Sequence, residues 1–300
     1  LSALQSMLRY GGVIVVTLLI GYFSARPALR CYYDATEMKE NTLTQNSIDI
    51  MEKLDGPLTI TTYANMFDEN YFRALPRYYN EDFNRFEKYI RFKPEIKMKY
   101  VYYYDKTNNP TLEQRYPGLT DEQRLKKICD ALDWDVKRVL TPEQIRAKED
   151  LSGEYNKYVR VIERGNGQKS YLRLYEDNYR HPTETEISAA LKRMVIKSPV
   201  VAFLTGHGER SIDGIGERDY YAFSQYKDFR NSLVNQGFES ISLSLDSVNK
   251  VPENIDILVI SDVRTALSPK EQEIIENYIA EGRNLLIAGE PRRQEQMNPL

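Results

Sequence analysis

The chain has 300 residues, of which 41% are hydrophobic and 28% charged, with a formal net charge of −3. That apolar content suffices for a core and excludes a disordered chain, and the length suits two domains of roughly 100–200 residues each. With no basic excess to neutralise phosphates, nucleic acid is not an expected partner; two cysteines, Cys31 and Cys129, are too few for a disulfide framework or a zinc cluster.

The first element is an uncharged stretch from Tyr10 to Ala25, preceded by Arg9 and followed by Arg26 and Arg30. Its roughly sixteen residues reach about 24 Å as a helix, short of a ~30 Å hydrocarbon layer. The run becomes long enough if the uncharged residues Leu1 to Leu8 join it, with Arg9 snorkelling to the headgroups. Apolar side chains occur on all its faces, which predicts a transmembrane helix rather than a surface helix. A signal peptide cleaved near Ala25 or Ala28 and a buried core helix are the competing readings. Arginines at both ends leave the orientation unset by charge. The chain begins with Leu1 rather than Met and stops at Leu300 just after a strand and its loop, so a fragment is expected at both ends.

After a polar connection, Leu43 to Leu54 predicts a short helix and Leu58 to Ala64 a strand. Tyr79, Phe83, Phe86 and Ile90 repeat at helical spacing within Arg77 to Phe92, behind Pro76. Lys97 to Tyr104 is a second strand. Helices Thr120–Leu132 and Thr141–Lys148 each open with a capping box, Thr120 with Gln123 and Thr141 with Gln144. Tyr158 to Glu163 and Lys169 to Tyr175 form a hairpin around Asn166-Gly167, and Thr183 to Ile196 a further helix. This order suits a thioredoxin-like α/β domain over residues 34–198, behind a membrane helix and flank over 1–33. Cys129 stands alone, so the redox chemistry of that fold is not expected. His181, before Pro182, reads as a solvated turn residue.

From Pro199 the pattern changes. Val200–Leu204, Asp256–Ser261 and Asn284–Ala288 are short apolar strands, joined by Ser240–Leu245. A long helix is expected from about Asp219 to Asn235, ending at Gly237. A second is expected from Ser268, Pro269 and Glu271 to Gly282. Apolar strands separated by helices predict a parallel sheet covered on both faces, a Rossmann-like α/β domain over residues 199–300, truncated at its C-terminus.

Ligands of such a sheet collect at the carboxyl ends of its strands. Three loops leave that edge: Thr205-Gly206-His207-Gly208-Glu209, Ser261-Asp262-Val263-Arg264, and Gly289-Glu290-Pro291-Arg292. His207, Glu209, Asp262 and Glu290 are the candidates for an acid/base set, and the Thr205–Glu209 loop with Asp262 and Glu290 for a ligand or partner contact. No phosphate-binding P-loop, nucleophile elbow or dinucleotide fingerprint is present. Gly and Asp at these loops also serve ordinary turns and caps. No catalytic residue, cofactor or metal is therefore assigned.

Several of these segments carry a family resemblance. Thr42-Leu43-Thr44, Leu54-Asp55-Gly56-Pro57-Leu58-Thr59-Ile60 and Tyr71-Phe72 with Leu75-Pro76 come first. Then come Phe203-Leu204-Thr205-Gly206-His207-Gly208-Glu209, Val251-Pro252, Asp256 to Ile260, Leu267-Ser268-Pro269 with Glu271, and Tyr278-Ile279 with Gly282. Over roughly residues 34–291 the chain resembles GldG-type auxiliary components of ABC-2 type transporters, the gliding-motility-associated family. It departs at Gly282-Arg283, where the family often has two glycines. The resemblance implies a protein of the cytoplasmic (inner) membrane with its soluble domains on the extracytoplasmic side. Membrane lipid, an ABC ATP-binding subunit and a permease would be its partners, the permease in some members preceding this region in the same chain. The related C-terminal fold in intraflagellar transport is regarded as a non-catalytic binding module. The alternative function is a membrane-tethered hydrolase or amidotransferase-like enzyme using the His207 loop.

Overall fold

The computed structural model describes residues 3–26, 32–217 and 219–289. Helix α1, Ala3–Ser24, runs unbroken for 22 residues, about 33 Å at ~1.5 Å per residue. The uncharged residues before Arg9 do join the apolar run. None of α1 is buried, which overturns the core-helix alternative, and it is the one helix among the described residues long and apolar enough to cross a membrane. At its end the Arg26 guanidinium lies 4.2 Å from the centre of the Tyr22 ring.

The first α/β unit contains α2 (Gln45–Glu52), β1 (Leu58–Asn65), α3 (Tyr79–Phe92), β2 (Lys97–Tyr103), α4 (Pro110–Arg115), α5 (Asp121–Leu132), β3 (Val139–Leu140), α6 (Pro142–Lys148), β4 (Val159–Arg164), β5 (Lys169–Arg173) and α7 (Glu184–Lys192). Its strands lie in the order β3-β2-β1-β4-β5. The pairs β1–β2 and β2–β3 are parallel, and β1–β4 and β4–β5 antiparallel. This is the βαβ-plus-hairpin plan of a thioredoxin-like sandwich, with β3 added at one edge. Period-two alternation sends Leu58, Ile60 and Ile162 to one face, against Ile50 of α2, Phe86 of α3 and Ile187 of α7. It sends Tyr63, Tyr103 and Val161 to the other, against Ile145 of α6. Burying each such aliphatic side chain contributes roughly 1.5–3 kcal/mol.

A charge is buried in this core. Arg160 of β4 is fully enclosed, paired with Asp82 of α3 and lying between the rings of Phe86 and Tyr158. Tyr100 donates to the second Asp82 oxygen at 3.0 Å and stacks on Tyr79 at 3.9 Å. His181 closes the network, its Nδ1 3.4 Å from Arg160. It is not the solvated turn residue expected from its place before Pro182. Burial, with Arg160 and then Arg85 and Arg73 nearby, pushes its imidazole down to about 3.

The second unit contains β6 (Val200–Leu204), α8 (Tyr221–Ser224), β7 (Glu239–Leu243), β8 (Ile257–Ser261), α9 (Pro269–Ala280) and β9 (Asn284–Ala288). The sheet order is β7-β6-β8-β9, all parallel. One face packs Val200, Ala202 and Leu258 against Ile274, Ile275 and Tyr278 of α9. The other packs Val201, Phe203 and Val259 against Ile212, Tyr220, Leu233 and Phe238.

Here the structure departs from the expected long helix over Asp219 to Asn235. Only the four residues of α8 are helical, and turns follow. The Asn235 amide donates to the carbonyls of Lys227 and Phe229 and to the Ser232 hydroxyl, taking acceptors a helix would need. Leu233 and Val234 donate back to Phe223 and Ser224, folding the segment onto itself. Its polar side chains then reach across to the first unit. Arg230 pairs with Asp177 and Glu186, Asp228 with Lys157, and Lys227 with Glu154, while the Asn235 amide oxygen accepts from Arg173. Apolar spacing alone does not distinguish this strap from a helix, because both bury one face.

Candidate functional site

At the carboxyl edge of the second sheet, the Thr205 N–H donates to Leu243 at 2.9 Å and prolongs the β6–β7 ladder by one residue. Gly206 and Gly208 then turn the chain, with φ of +123° and +76°. A Cβ on Gly208 would lie 3.1 Å from both Cβ and Cδ of Arg264, so backbone conformation and close approach both call for glycine there. The His207 carbonyl accepts the N–H groups of Arg264 and Thr265 at 2.8 and 3.1 Å. Those bonds join the β6 loop to the β8 loop.

The His207 imidazole points inward, between two carboxylates. Nδ1 is 3.3 Å from Glu209 Oε1 and Nε2 is 3.2 Å from Glu271 Oε2. The Glu209 and Glu271 side chains are 1% and 4% exposed, so these are interior contacts. The His207 N–H also donates to Glu209 Oε2 at 2.6 Å. Glu271 completes the capping box of α9 and accepts the Ser268 N–H at 2.8 Å and hydroxyl at 2.7 Å. Burial disfavours ionisation of its carboxyl, but the Ser268 donors and His207 outweigh that and hold its pKa below the ordinary range. His207 is thus a strut between the β6 loop and the start of α9. Carboxylates face both ring nitrogens, and on the Nδ1 side neither Nδ1 nor Glu209 Oε1 makes a hydrogen bond.

Asp262 is turned elsewhere. It holds a left-handed backbone, φ +53°, which Asp tolerates better than most residues, and its N–H donates to Ala288 at 2.9 Å. Its Oδ2 lies 3.6 Å from Arg210 Nε and 3.9 Å from an Arg264 nitrogen. Of the four proposed acid/base groups, His207 and Glu209 touch, Asp262 faces arginines, and Glu290 lies outside the described residues. Cys31 and the Pro291-Arg292 turn lie outside them as well. Glu271 is the partner that sequence reasoning missed as a site residue. Its signal was present: a capping-box acid opening the helix that follows β8 stands at this same sheet edge.

The loop presents little side-chain chemistry to solvent. Gly206 and Gly208 are exposed, Thr205 is half-buried, and the Arg264 side chain is 48% exposed. Such a surface offers backbone groups and a guanidinium to a partner. Cys129 is wholly buried, and burial, with Asp130 and Asp135 behind it, pushes its thiol up, the reverse of a nucleophile's setting. Among the described residues no cluster of three or more His, Cys, Asp or Glu side chains is placed to hold a metal.

No curated protein and no solved structure matches the chain. Residues 198–299 match the family model described as "ABC-type uncharacterized transport system", and so the β6–β9 unit that carries the His207 strut is the part similar to auxiliary components of ABC transporters.

Proposed function

We propose that the chain is a non-enzymatic, membrane-anchored auxiliary subunit of an ABC-2 type transporter of the GldG type. Helix α1 anchors it in the cytoplasmic membrane. The two α/β units, residues 34–198 and 199–300, form an extracytoplasmic assembly or binding module beside an ATP-binding subunit and a permease. The family match over residues 198–299 carries this reading. The inward-facing His207 supports it, because a buried ring held between Glu209 and Glu271 serves assembly of the loop better than proton transfer. The Thr205–Glu209 loop with Asp262 and Glu290 is the proposed partner contact, and gliding motility is the setting in which such an assembly is expected.

The test is co-purification in mild detergent with a co-expressed ATP-binding subunit and permease. Arg264→Glu reverses charge on a side chain that is 48% exposed. The expected result is a sharp loss of both partners from a chain that still unfolds cooperatively, its melting temperature lowered by the neighbouring Asp262 carboxylate. Partners retained by this variant and by a chain whose Thr205–Glu209 loop is replaced would remove the loop from the contact. A hydrolase or amidotransferase-like enzyme is the second reading, and it predicts activity that disappears with His207→Gln.

A further inference from the structure

Just beyond α1, residues 32–42 form a built surface rather than a loose tail. One Asp34 carboxylate oxygen accepts the Thr36 N–H and hydroxyl at 3.0 and 2.6 Å. The other accepts the Asn41 N–H at 2.8 Å and the Thr42 hydroxyl at 3.1 Å. Helix α3 holds this loop from below. Lys88 donates to the Glu40 carbonyl, and the Arg91 guanidinium lies 4.5 Å from the centre of the Tyr32 ring. Between loop and helix is a cleft of about 670 Å³, lined in part by Tyr32, Tyr33 and Phe92. These rings remain turned to solvent: Tyr33 is 87% exposed, Tyr32 51% and Phe92 47%, with Met38 on the same loop 79% exposed. Lys39 reaches over Tyr33, its Nζ 5.1 Å from the ring centre.

Two facts indicate what covers this patch. The first is composition. Aromatic rings interleaved with Lys and Arg stems are the side-chain mixture of the headgroup layer of a bilayer, where rings sit half-wet and cations snorkel to phosphates. The second is reach. The six residue-to-residue steps from Arg26 to Tyr32 span at most about 22 Å even when fully extended. Arg26 and Tyr22 close the apolar run of α1. The tether therefore holds the Tyr32 face close to the plane at which α1 leaves the hydrocarbon.

We propose that the face formed by Tyr32, Tyr33, Met38 and Phe92, with Lys39 and Arg91, docks on the lipid surface of the membrane that α1 crosses. Contact there fixes the first α/β unit against the bilayer. The inference rests on α1 spanning the membrane, and the experiment separates the two.

The full chain is reconstituted in phosphatidylcholine nanodiscs, with Cys31→Ser removing one thiol and Cys129 buried beyond labelling. A fluorophore is attached in turn at Met38→Cys, at Val15→Cys within α1, and at Ile215→Cys, an exposed position of the second unit. Lipids carrying a quencher at the headgroup or in the acyl chain report depth. The expected result is severalfold stronger headgroup quenching at position 38 than at 215. That quenching should fall to the level of 215 when Tyr33→Asp and Phe92→Asp are added. Equal, weak quenching at 38 and 215, with position 15 still quenched from the acyl chains, overturns the docking and leaves the span intact. Loss of acyl-chain quenching at position 15 overturns the span and the docking together.

Discussion

Arg230 is the side chain on which the joint between the two units should depend most. Its guanidinium donates to both oxygens of Asp177, at 2.6 and 3.0 Å, to Glu186 at 2.6 Å and to the His181 carbonyl at 3.0 Å. It also lies over the Tyr175 ring at 4.5 Å. In Arg230→Ala these terms differ in weight. Asp177 is 34% exposed, so losing its partner costs about 1 kcal/mol after solvent screening. Glu186 is 3% exposed and retains its Thr183 donors, so stranding its charge costs about 2 kcal/mol more. A loss of about 3 kcal/mol in the local opening energy accelerates hydrogen exchange on the order of a hundredfold. The reporters are the Leu233 and Val234 amides, which donate to Phe223 and Ser224 within the strap. Mass-spectrometric exchange on the detergent-solubilised chain should show this acceleration over residues 219–238 and none in β1 and β4. Unchanged exchange in the strap, or an equal acceleration in β1 and β4, would refute the reasoning.

His207→Ala should strand the carboxylates of Glu209 and Glu271 in the interior and cost about 3 kcal/mol, read as a lower melting temperature; an unchanged melt would show that the strut carries no load. Arg160→Met should be at least as damaging, about 3–5 kcal/mol, because Asp82 is left buried, and adding Asp82→Leu should restore most of that loss in a denaturant titration. His181 sets a pH dependence. Its ordinary value of 6.5 falls to about 3 in the folded chain, so between those limits the unfolded chain binds the extra proton and stability declines as pH falls. The contribution reaches up to about 1.4 kcal/mol per pH unit, and His181→Gln should flatten the decline in melting temperature between pH 6.5 and 4 relative to the parent chain.

The elements most legible in the sequence were those whose signal is local. Thr120 with Gln123, Thr141 with Gln144 and Ser268 with Glu271 each form the capping box their spacing implies. The apolar runs at Val200, Ile257 and Asn284 each form a parallel strand of the second sheet. What was not legible depended on partners distant in sequence. The strap at 219–238 carries helix-like apolar spacing, but its fold is decided by the Asn235 amide and by Asp177, Glu186 and Glu154 of the other unit. His181 looked like a turn residue because nothing nearby announces the buried Arg160. Strand β3 is two residues long and exists only by pairing with Tyr102 and Tyr103. At the sheet edge the loop glycines and His207 stand out in the sequence, whereas the spacing of Glu271 from Ser268 signals only a cap. Its second role required the crossover that brings the start of α9 beside the β6 loop.

The proposed role is that of an auxiliary subunit of a transporter. Its most direct test is purification from native membranes in mild detergent, with mass-spectrometric identification of what remains bound. The account predicts an ABC ATP-binding subunit and a permease recovered with the chain, and their loss together on Arg264→Glu. A chain that fractionates as soluble protein, or that is recovered from the membrane without either partner, would contradict it.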